Sequence, residues 1–119
     1  MSSRRDILMK GTTDKAVKYI KENYHHTDVS LKEVSKEMSL SYYYFSHIFR
    51  KYYKMSFIEY LTKIRLQEAA KLLKNPRLNV DQVAFAVGYH DRGYFTKVFK
   101  KTYKIPPTEF REEFFKRKK

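Results

Sequence analysis

The chain has 119 residues, and 26 Lys and Arg against 13 Asp and Glu give it a formal net charge of +13. This excess favours a polyanionic partner, most often nucleic acid, over an anionic membrane surface or a merely solubilising basic face. The absence of cysteine excludes disulfides and thiolate metal sites. No apolar run approaches the roughly 20 residues of a membrane span, and the N-terminus lacks a signal-peptide pattern, so we expect a cytoplasmic protein.

Apolar residues recur at helical spacing through nearly the whole chain, which predicts an all-α protein of seven helices. Residues 1–12 are expected to form a tail, and the first helix is predicted over residues 14–25. Ser30 and Glu33 have the spacing of a capping box, in which each side chain accepts from the other residue's backbone amide. They start a short second helix, and a third is predicted over about 41–53.

A second capping-box spacing, Ser56 to Glu59, opens a long helix that Asn75-Pro76 should end. This helix is predicted to link two subdomains over residues 56–75. The C-terminal stretch PTEFREEFFKRKK is interpreted as a closing helix followed by a basic tail, residues 114–119. An amphipathic membrane-surface helix is the less favoured reading, because the aromatic residues are spread over the chain.

The second half of the chain repeats the middle at a fixed offset. Identities at a shift of 50 are found for Tyr44, Phe45, Phe49, Lys51, Tyr53, Lys54 and Glu59. Upstream the shift is 49, which pairs Leu31 with Val80 and Val34 with Val83. One residue has therefore been inserted in the turn of the second copy, and the chain contains one unit twice.

Each copy consists of a short helix, a turn and a second, basic helix. This is helix-turn-helix geometry, in which the second helix enters the DNA major groove. The second turn contains Gly88, where a left-handed backbone costs least, and the first has Ser39 instead.

The predicted third helix has two faces. An apolar stripe at helical spacing is typical of core, and it comprises Phe45, Ile48, Phe49 and Tyr52. Polar and basic side chains, which can meet base edges or phosphates, make up the opposite stripe. The second copy is divided in the same way, with Arg92, Gly93, Thr96, Lys97 and Lys100 pointing outward. Tyr42 and Tyr44 lie at the boundary between the two faces. Two roles stay open for them, closing the core and stacking on the sugar-phosphate backbone of DNA.

Three stretches resemble the DNA-binding region of the AraC/XylS family of bacterial transcription regulators: SLKEVSKEMSLSYYYFSHIFRKYY, SFIEYLTKIRLQEAAKLL and NVDQVAFAVGYHDRGYFTKVFKKTYKIPPTEF. FIEYLTKIRLQEAAKLL is similar to members in which this region is the C-terminal domain of a two-component response regulator. The resemblance implies helix-turn-helix subdomains over 13–55 and 76–113. Their recognition helices, about 41–53 and 92–103, would enter successive major-groove segments, so that a monomer can bind a bipartite site.

The resemblance also assigns roles by position. It implies base contacts from Tyr43, Ser46, His47, Arg50, Arg92, Thr96 and Lys97. Arg92 is the strongest candidate, because a guanidinium can bond both acceptors of guanine, whereas Gly93 would only allow close approach. Phosphate contacts are implied for Ser41, Lys51, Lys54, Lys100, Lys101 and Lys104.

Two departures from the family are visible. Lys54 and Lys104 stand where the family commonly has Gly. A left-handed backbone there would cost each lysine about 1 kcal/mol relative to Gly, unless the turn differs and each adds a phosphate contact. No ligand-binding or receiver domain is present, so we expect either a small stand-alone regulator or one domain of a protein with a separate sensor or receiver.

No catalytic constellation is evident, and no enzyme activity, cofactor or metal is expected. His25 and His26 are adjacent and therefore point to different faces. We expect sequence-specific binding of double-stranded DNA for transcription regulation, with activation and a contact to RNA polymerase. The alternative is a nucleic-acid-binding protein without sequence preference, which would share the salt dependence but not the specificity.

Overall fold

The structure, a computed structural model, describes residues 3–117 and contains seven helices and no strand within them. The helices are α1 Arg4–Asn23, α2 Leu31–Glu37, α3 Tyr42–Tyr53, α4 Phe57–Leu72, α5 Val80–Ala86, α6 Arg92–Tyr103 and α7 Pro107–Arg117. The predicted all-α fold is confirmed. Residues 1, 2, 118 and 119, which belong to the predicted terminal tails, lie outside the described residues.

The predicted N-terminal tail is wrong for residues 4–12, which form the first two turns of α1. Ser3 caps this helix, its Oγ accepting from the Asp6 amide at 3.1 Å. Thr12 and Thr13 donate their hydroxyls to carbonyls one turn back at 3.1 and 2.8 Å, so these poor helix formers sit in the helix without breaking it. At the other end of the chain, α7 continues to Arg117, so the predicted basic tail is helical as far as that residue.

The predicted repeat is confirmed by the helix boundaries. Helices α3 and α6 start 50 residues apart, at Tyr42 and Arg92, whereas α2 and α5 start 49 apart, at Leu31 and Val80. In the turns, the Leu40 amide donates to Ser35 at 2.9 Å and the Tyr89 amide donates to Ala84 at the same distance. Tyr89 therefore takes the place of Leu40, and the next residue, His90, is the inserted one.

Neither predicted capping box forms as expected, whereas the start of α5 has a complete one. Asn79 and Gln82 make the full reciprocal box. Ser30 accepts from the Glu33 amide as predicted, but the Glu33 carboxylate accepts from the Tyr19 hydroxyl at 3.0 Å and does not reach back to Ser30. At the start of α4, Ser56 accepts from the Glu59 amide and donates its own hydroxyl to the Glu59 carboxylate.

The chain forms two compact units. The first comprises the residues up to Tyr24 together with Asp28–Lys63, and the second comprises His25–Thr27 together with the residues from Ile64 onward. Helix α4 thus begins in the first unit and ends in the second. It stops at Leu72, earlier than predicted, because the Lys74 and Asn75 amides bond carbonyls only three residues back, which tightens the last turn.

The core of the first unit is aromatic. Fully buried Phe49 lies with its ring centroid 6.0 Å from that of Phe57 and 5.7 Å from that of Tyr60, in edge-to-face contacts. Around these rings lie the other buried apolar residues, Ala16, Val17, Ile20, Val29, Val34, Phe45, Ile48 and Leu61. Helix α3 is therefore fixed by the stripe that the sequence predicted.

The core of the second unit repeats this arrangement around Phe99, whose ring meets Phe95 at 5.7 Å and Phe110 at 5.4 Å. Its other buried apolar residues are Leu66, Ala69, Leu73, Val80, Val83, Ala84, Val87 and Tyr89. The Arg111 guanidinium donates to the Leu73 and Asn75 carbonyls at 2.9 and 3.1 Å, which satisfies the end of α4. Within residues 3–117, no helix combines the length and apolar character that a membrane crossing requires.

Candidate nucleic-acid interface

Both basic helices end in a left-handed residue, which decides between the two expectations for the lysines. Lys54 has φ 60° and Lys104 has φ 73°, and their amides donate to carbonyls four residues back at 2.9 and 2.8 Å. The backbone is thus strained as the first expectation required, at about 1 kcal/mol for each lysine relative to Gly. Both side chains are exposed, and although the Lys104 ammonium donates to the Lys101 carbonyl at 3.2 Å, each can still reach an anion.

The outward face of α3 carries most of the predicted readers. Tyr43, His47 and Arg50 are exposed and Ser46 is half-buried, on the side opposite buried Phe45, Ile48 and Phe49. Tyr43 is 84% exposed, the largest exposure among the exposed large hydrophobic side chains. An aromatic ring so exposed is not part of the core of its unit, and it can make apolar contact with a base edge.

The two boundary tyrosines of α3 have different environments. The half-buried Tyr44 packs toward α1, and its hydroxyl donates to the Met9 sulfur at 2.9 Å. Tyr42 is exposed, and its ring meets that of Tyr43 edge-on at 5.4 Å. Tyr44 therefore helps to close the unit, and Tyr42 extends the outward aromatic surface.

The start of α3 is held by Ser41, one of the predicted phosphate contacts. Its Oγ accepts from the Tyr44 amide at 3.2 Å. This cap leaves the hydroxyl proton of Ser41 available to donate to an anion at the positive end of the helix.

Lys51, another predicted phosphate contact, already has an acidic partner. Its ammonium lies 3.4 Å from the Asp6 carboxylate, and the Tyr52 hydroxyl donates to the same carboxylate at 3.3 Å. The hydrogen bond from Ser3 and the nearby Lys51 lower the pKa of Asp6. Lys51 is still half-exposed, so it can exchange this exposed and weak pairing for a phosphate.

The sequence pattern did not indicate Asp6, because residues 4–12 were assigned to a tail. The spacing from Ser3 to Asp6 fits the capping motif of a Ser three residues before an acid, and it was the signal that could have located the start of α1. Tyr53 adds a further contact to α1 by donating its hydroxyl to Asp14. Burial and this carboxylate together raise the pKa of Tyr53 well above its ordinary value.

Helix α6 presents a denser basic surface than α3. Its exposed cationic side chains are Arg92, Lys97, Lys100 and Lys101, with Lys104 at its C-cap. Thr96 is half-buried beside them, and Gly93 is exposed. No acidic residue lies within this helix, so its own side chains add only positive charge to the face.

Two carboxylates fix the start of α6. Asp91 is the N-cap, and its Oδ1 accepts from the Gly93 and Tyr94 amides at 2.8 and 3.3 Å. Asp81, in the first turn of α5, lies 3.5 Å from the Arg92 guanidinium. The sequence pattern indicated Arg92 but neither of these partners.

Arg65 supports the turn that precedes α6. It is buried, donates to the His26 carbonyl at 2.7 Å and places its guanidinium 5.3 Å from the Tyr89 ring centroid. Burial lowers the pKa of Arg65, although Tyr89 opposes the shift. An arginine in a helical sequence is expected to be exposed. The sequence pattern therefore did not predict that Arg65 is buried and supports this turn.

The part of the chain that the structure describes contains no set of side chains that could bind a metal ion. Over residues 3–117, no group of three or more His, Asp or Glu side chains is placed to hold a metal ion. What the two outward faces offer is a combination of guanidinium, ammonium, imidazole, hydroxyl and aromatic groups on helices. These are the groups that meet base edges and phosphates in the major groove.

Comparison with known proteins identifies this pair of units. A family model described as a helix-turn-helix domain matches residues 34–113. The Msm operon regulatory protein of Streptococcus mutans is 32% identical over 97 residues, which are 82% of this chain and 35% of that protein. The Arabinose operon regulatory protein of Escherichia coli is 30% identical over 103 residues, which are 87% of this chain and 35% of that protein. The chain belongs to the AraC family of helix-turn-helix transcription regulators.

This AraC-family chain has the fold of the family's DNA-binding domain. The C-terminal domain of AraT, a response regulator from Geobacillus stearothermophilus, superposes with a TM-score of 0.83 at 32% identity, covering 86% of this chain and 84% of that one. The predicted resemblance to the effector domains of response regulators is thereby confirmed. The chain spans about a third of the length of the curated relatives named above.

Proposed function

We propose that this AraC-family domain binds a bipartite site in duplex DNA, with α3 and α6 as its recognition helices in successive major-groove segments. The observation that carries the proposal is the repeated division of the two helices. Each buries phenylalanines at the same repeat positions and turns basic and hydrogen-bonding groups outward. A single polypeptide with two such helices can read both elements as a monomer.

Within this proposal, the residues divide by the kind of contact. Base edges are met by Tyr43, Ser46, His47, Arg50, Arg92, Thr96 and Lys97. Phosphates are met by Ser41, Lys51, Lys54, Lys100, Lys101 and Lys104. The exposure of Tyr43 and Arg92 at helix N-terminal ends supports the first group, because helix-turn-helix proteins reach base edges mainly from the start of the recognition helix.

The regulatory role extends this proposal to the protein as a whole. We infer a cytoplasmic, non-enzymatic regulator that activates transcription through contact with RNA polymerase and is controlled by a sensor or receiver domain. The name of AraT, a response regulator whose C-terminal domain has this fold, supports the last point. A binder without sequence preference is the second candidate, and the net charge of +13 favours it as much as it favours the first.

Selection from random-sequence duplexes distinguishes the two candidates. The proposal expects enrichment of two sequence elements about one helical turn apart. Arg92→Ala should then relax preference at one position of the site, with a loss of about 1–3 kcal/mol there. A chain that binds the duplexes in a salt-dependent way but enriches no motif would favour the second candidate over the first.

Lys101→Ala tests the division into base and phosphate contacts. It should weaken binding to all sequences alike and reduce the salt slope by about one unit, because one phosphate contact is lost. Lys71→Ala is the matched control, since Lys71 lies on α4, pairs with Glu68 at 3.1 Å and has no proposed contact with DNA. The division of roles is wrong if the Arg92 and Lys101 variants have the same effect.

A further inference from the structure

One base-reading candidate is held by a side chain from outside its own helix. Arg92 is the first residue of α6, and its Nη1 lies 3.5 Å from Oδ1 of Asp81 in the first turn of α5. The two side chains are 50% and 64% exposed, so both are accessible to a ligand. The contact lies within the second unit and uses one of the five N–H donors of the guanidinium.

The first unit has no counterpart of this pair. At the corresponding repeat positions it carries Tyr42 and Lys32, which cannot form an ion pair. The arrangement is thus specific to the second copy. It is not a consequence of the shared helix-turn-helix backbone.

A carboxylate beside a DNA-binding arginine lowers general affinity for DNA, because it repels phosphates and offsets part of the positive charge of the arginine. As an exposed ion pair it also adds little to stability. The pair instead restricts the orientation of the Arg92 guanidinium, because an arginine that bonds a carboxylate has fewer orientations available than one that does not. The other acid nearby, Asp91, is already occupied by the Gly93 and Tyr94 amides.

We propose that Asp81 is a positioning residue that orients the Arg92 guanidinium for two hydrogen bonds to a guanine in the major groove. This inference rests on the proposed function. Arginine recognises guanine through O6 and N7 at once, which requires a fixed orientation of the planar group. Gly93 has no side chain where the first copy has Tyr43, so the backbone of α6 can approach the base closely.

Random-sequence selection followed by competition binding tests this role with the whole chain. Asp81→Ala should lower the preference for guanine at the position read by Arg92 by about three- to tenfold, a part of the 1–3 kcal/mol of a full base contact. At the same time, binding to non-specific duplexes should stay the same or become tighter, because a negative charge has been removed. Asp81→Asn, which keeps an acceptor oxygen, should restore part of the preference.

The double variant shows whether Asp81 acts through Arg92. In an Arg92→Ala background, Asp81→Ala should have no further effect on base preference. Glu112→Ala is the matched control, because it removes an exposed negative charge of the same unit from α7, outside α5 and α6. It should leave the preference for guanine unchanged.

Three results would overturn the inference. They are a preference that survives Asp81→Ala, an effect that persists without Arg92, as for direct bonding of Asp81 to cytosine, and an equal loss on specific and non-specific duplexes. A wild-type chain that enriches no motif would overturn the proposed function and this inference with it. The wild-type result therefore separates the two failures.

Discussion

The two helix-turn-helix units share one backbone plan but present different chemistry at the start of the recognition helix. In the first unit, Tyr42 and Tyr43 form an exposed aromatic pair. In the second, Arg92 and Gly93 stand at the same repeat positions, with Asp81 beside the arginine. The shared geometry of the two units is therefore fixed by the inward residues of the repeat. The outward residues are not part of the buried core, so they can diverge without disturbing it.

The units also differ in what holds the recognition helix. Helix α3 is held by α1 through Asp6, Met9 and Asp14, which pair with side chains along its length. Helix α6 is flanked by its own turn, where Arg65 packs on Tyr89. The recognition helix is therefore supported by the additional helix α1 in the first unit and by buried Arg65 in the second.

The largest expected effect tests whether the two aromatic cores are equivalent. Phe49→Ala and Phe99→Ala each remove a fully buried ring, so each should lower the free energy of unfolding by about 3–5 kcal/mol. Urea unfolding followed by circular dichroism measures both losses. Tyr43→Ala is the control, since it truncates an exposed ring and should change stability by less than about 0.5 kcal/mol. A loss below about 1 kcal/mol for either phenylalanine would break the equivalence.

A smaller effect separates the two turns. Gly88 has φ 102° whereas Ser39 has φ 58°, so only the second turn lies outside the range that non-glycine residues tolerate. Gly88→Ala should destabilise the chain by about 1–2 kcal/mol, and Ser39→Gly should change stability by less than about 1 kcal/mol. Thermal unfolding of both variants checks this.

Gly11→Ala is the control for these turn variants. It replaces a glycine inside α1 that has open space around it, and it should stabilise the chain by up to about 1 kcal/mol. If Gly88→Ala behaved like Gly11→Ala, the turn of the second unit would not require a left-handed glycine.

The smallest effect concerns pH and compares Tyr53 with its repeat counterpart Tyr103. Burial raises the pKa of both tyrosines, and the Asp14 carboxylate raises that of Tyr53 further. Above pH 10, the ordinary pKa of a tyrosine hydroxyl, Tyr53 loses its phenolic proton in the unfolded chain but keeps it in the folded chain. The resulting stability is therefore complete below pH 10 and is lost as the pH rises through the higher folded pKa.

Tyr53→Phe should make the free energy of unfolding fall less steeply above pH 10 than in the wild type. Tyr103→Phe should show the same trend more weakly, because no carboxylate is hydrogen-bonded to its hydroxyl, which faces the Leu66 carbonyl at 3.5 Å. Urea midpoints over an alkaline pH series measure both, with Tyr43→Phe as an exposed control. Equal slopes for the Tyr53 and Tyr43 variants would contradict the assignment.

Much of the fold could be predicted because its signals are local or repeated. The offset of 50 located α6 once α3 was recognised, and the stripe of Phe45, Ile48 and Phe49 is buried as expected. The outward positions followed from helical geometry. Most of these residues are exposed as predicted, Ser46 and Thr96 are half-buried, and all their contacts with DNA remain proposals.

What was missed depends on partners distant in the chain. The start of α1 was misplaced because Thr13 and Asp14 are residue types that favour the N-cap of a helix, although the hydroxyls of Thr12 and Thr13 bond carbonyls of their own helix. The Glu33 carboxylate was expected to accept from the Ser30 amide, but in the folded unit it accepts from the Tyr19 hydroxyl. Local propensity sets the alternatives, and tertiary neighbours select among them.

The fold class, the duplication and the outward positions of the recognition helices can be predicted from the sequence, because all three follow from residue spacing and charge. Which outward groups have partners depends on how the helices pack. It paired Lys51 with Asp6 and Arg92 with Asp81, and it turned Tyr44 inward while leaving Tyr42 exposed. The two residues of each pair lie on different helices, so no helical spacing in the sequence links them. The pairs form only when the helices pack.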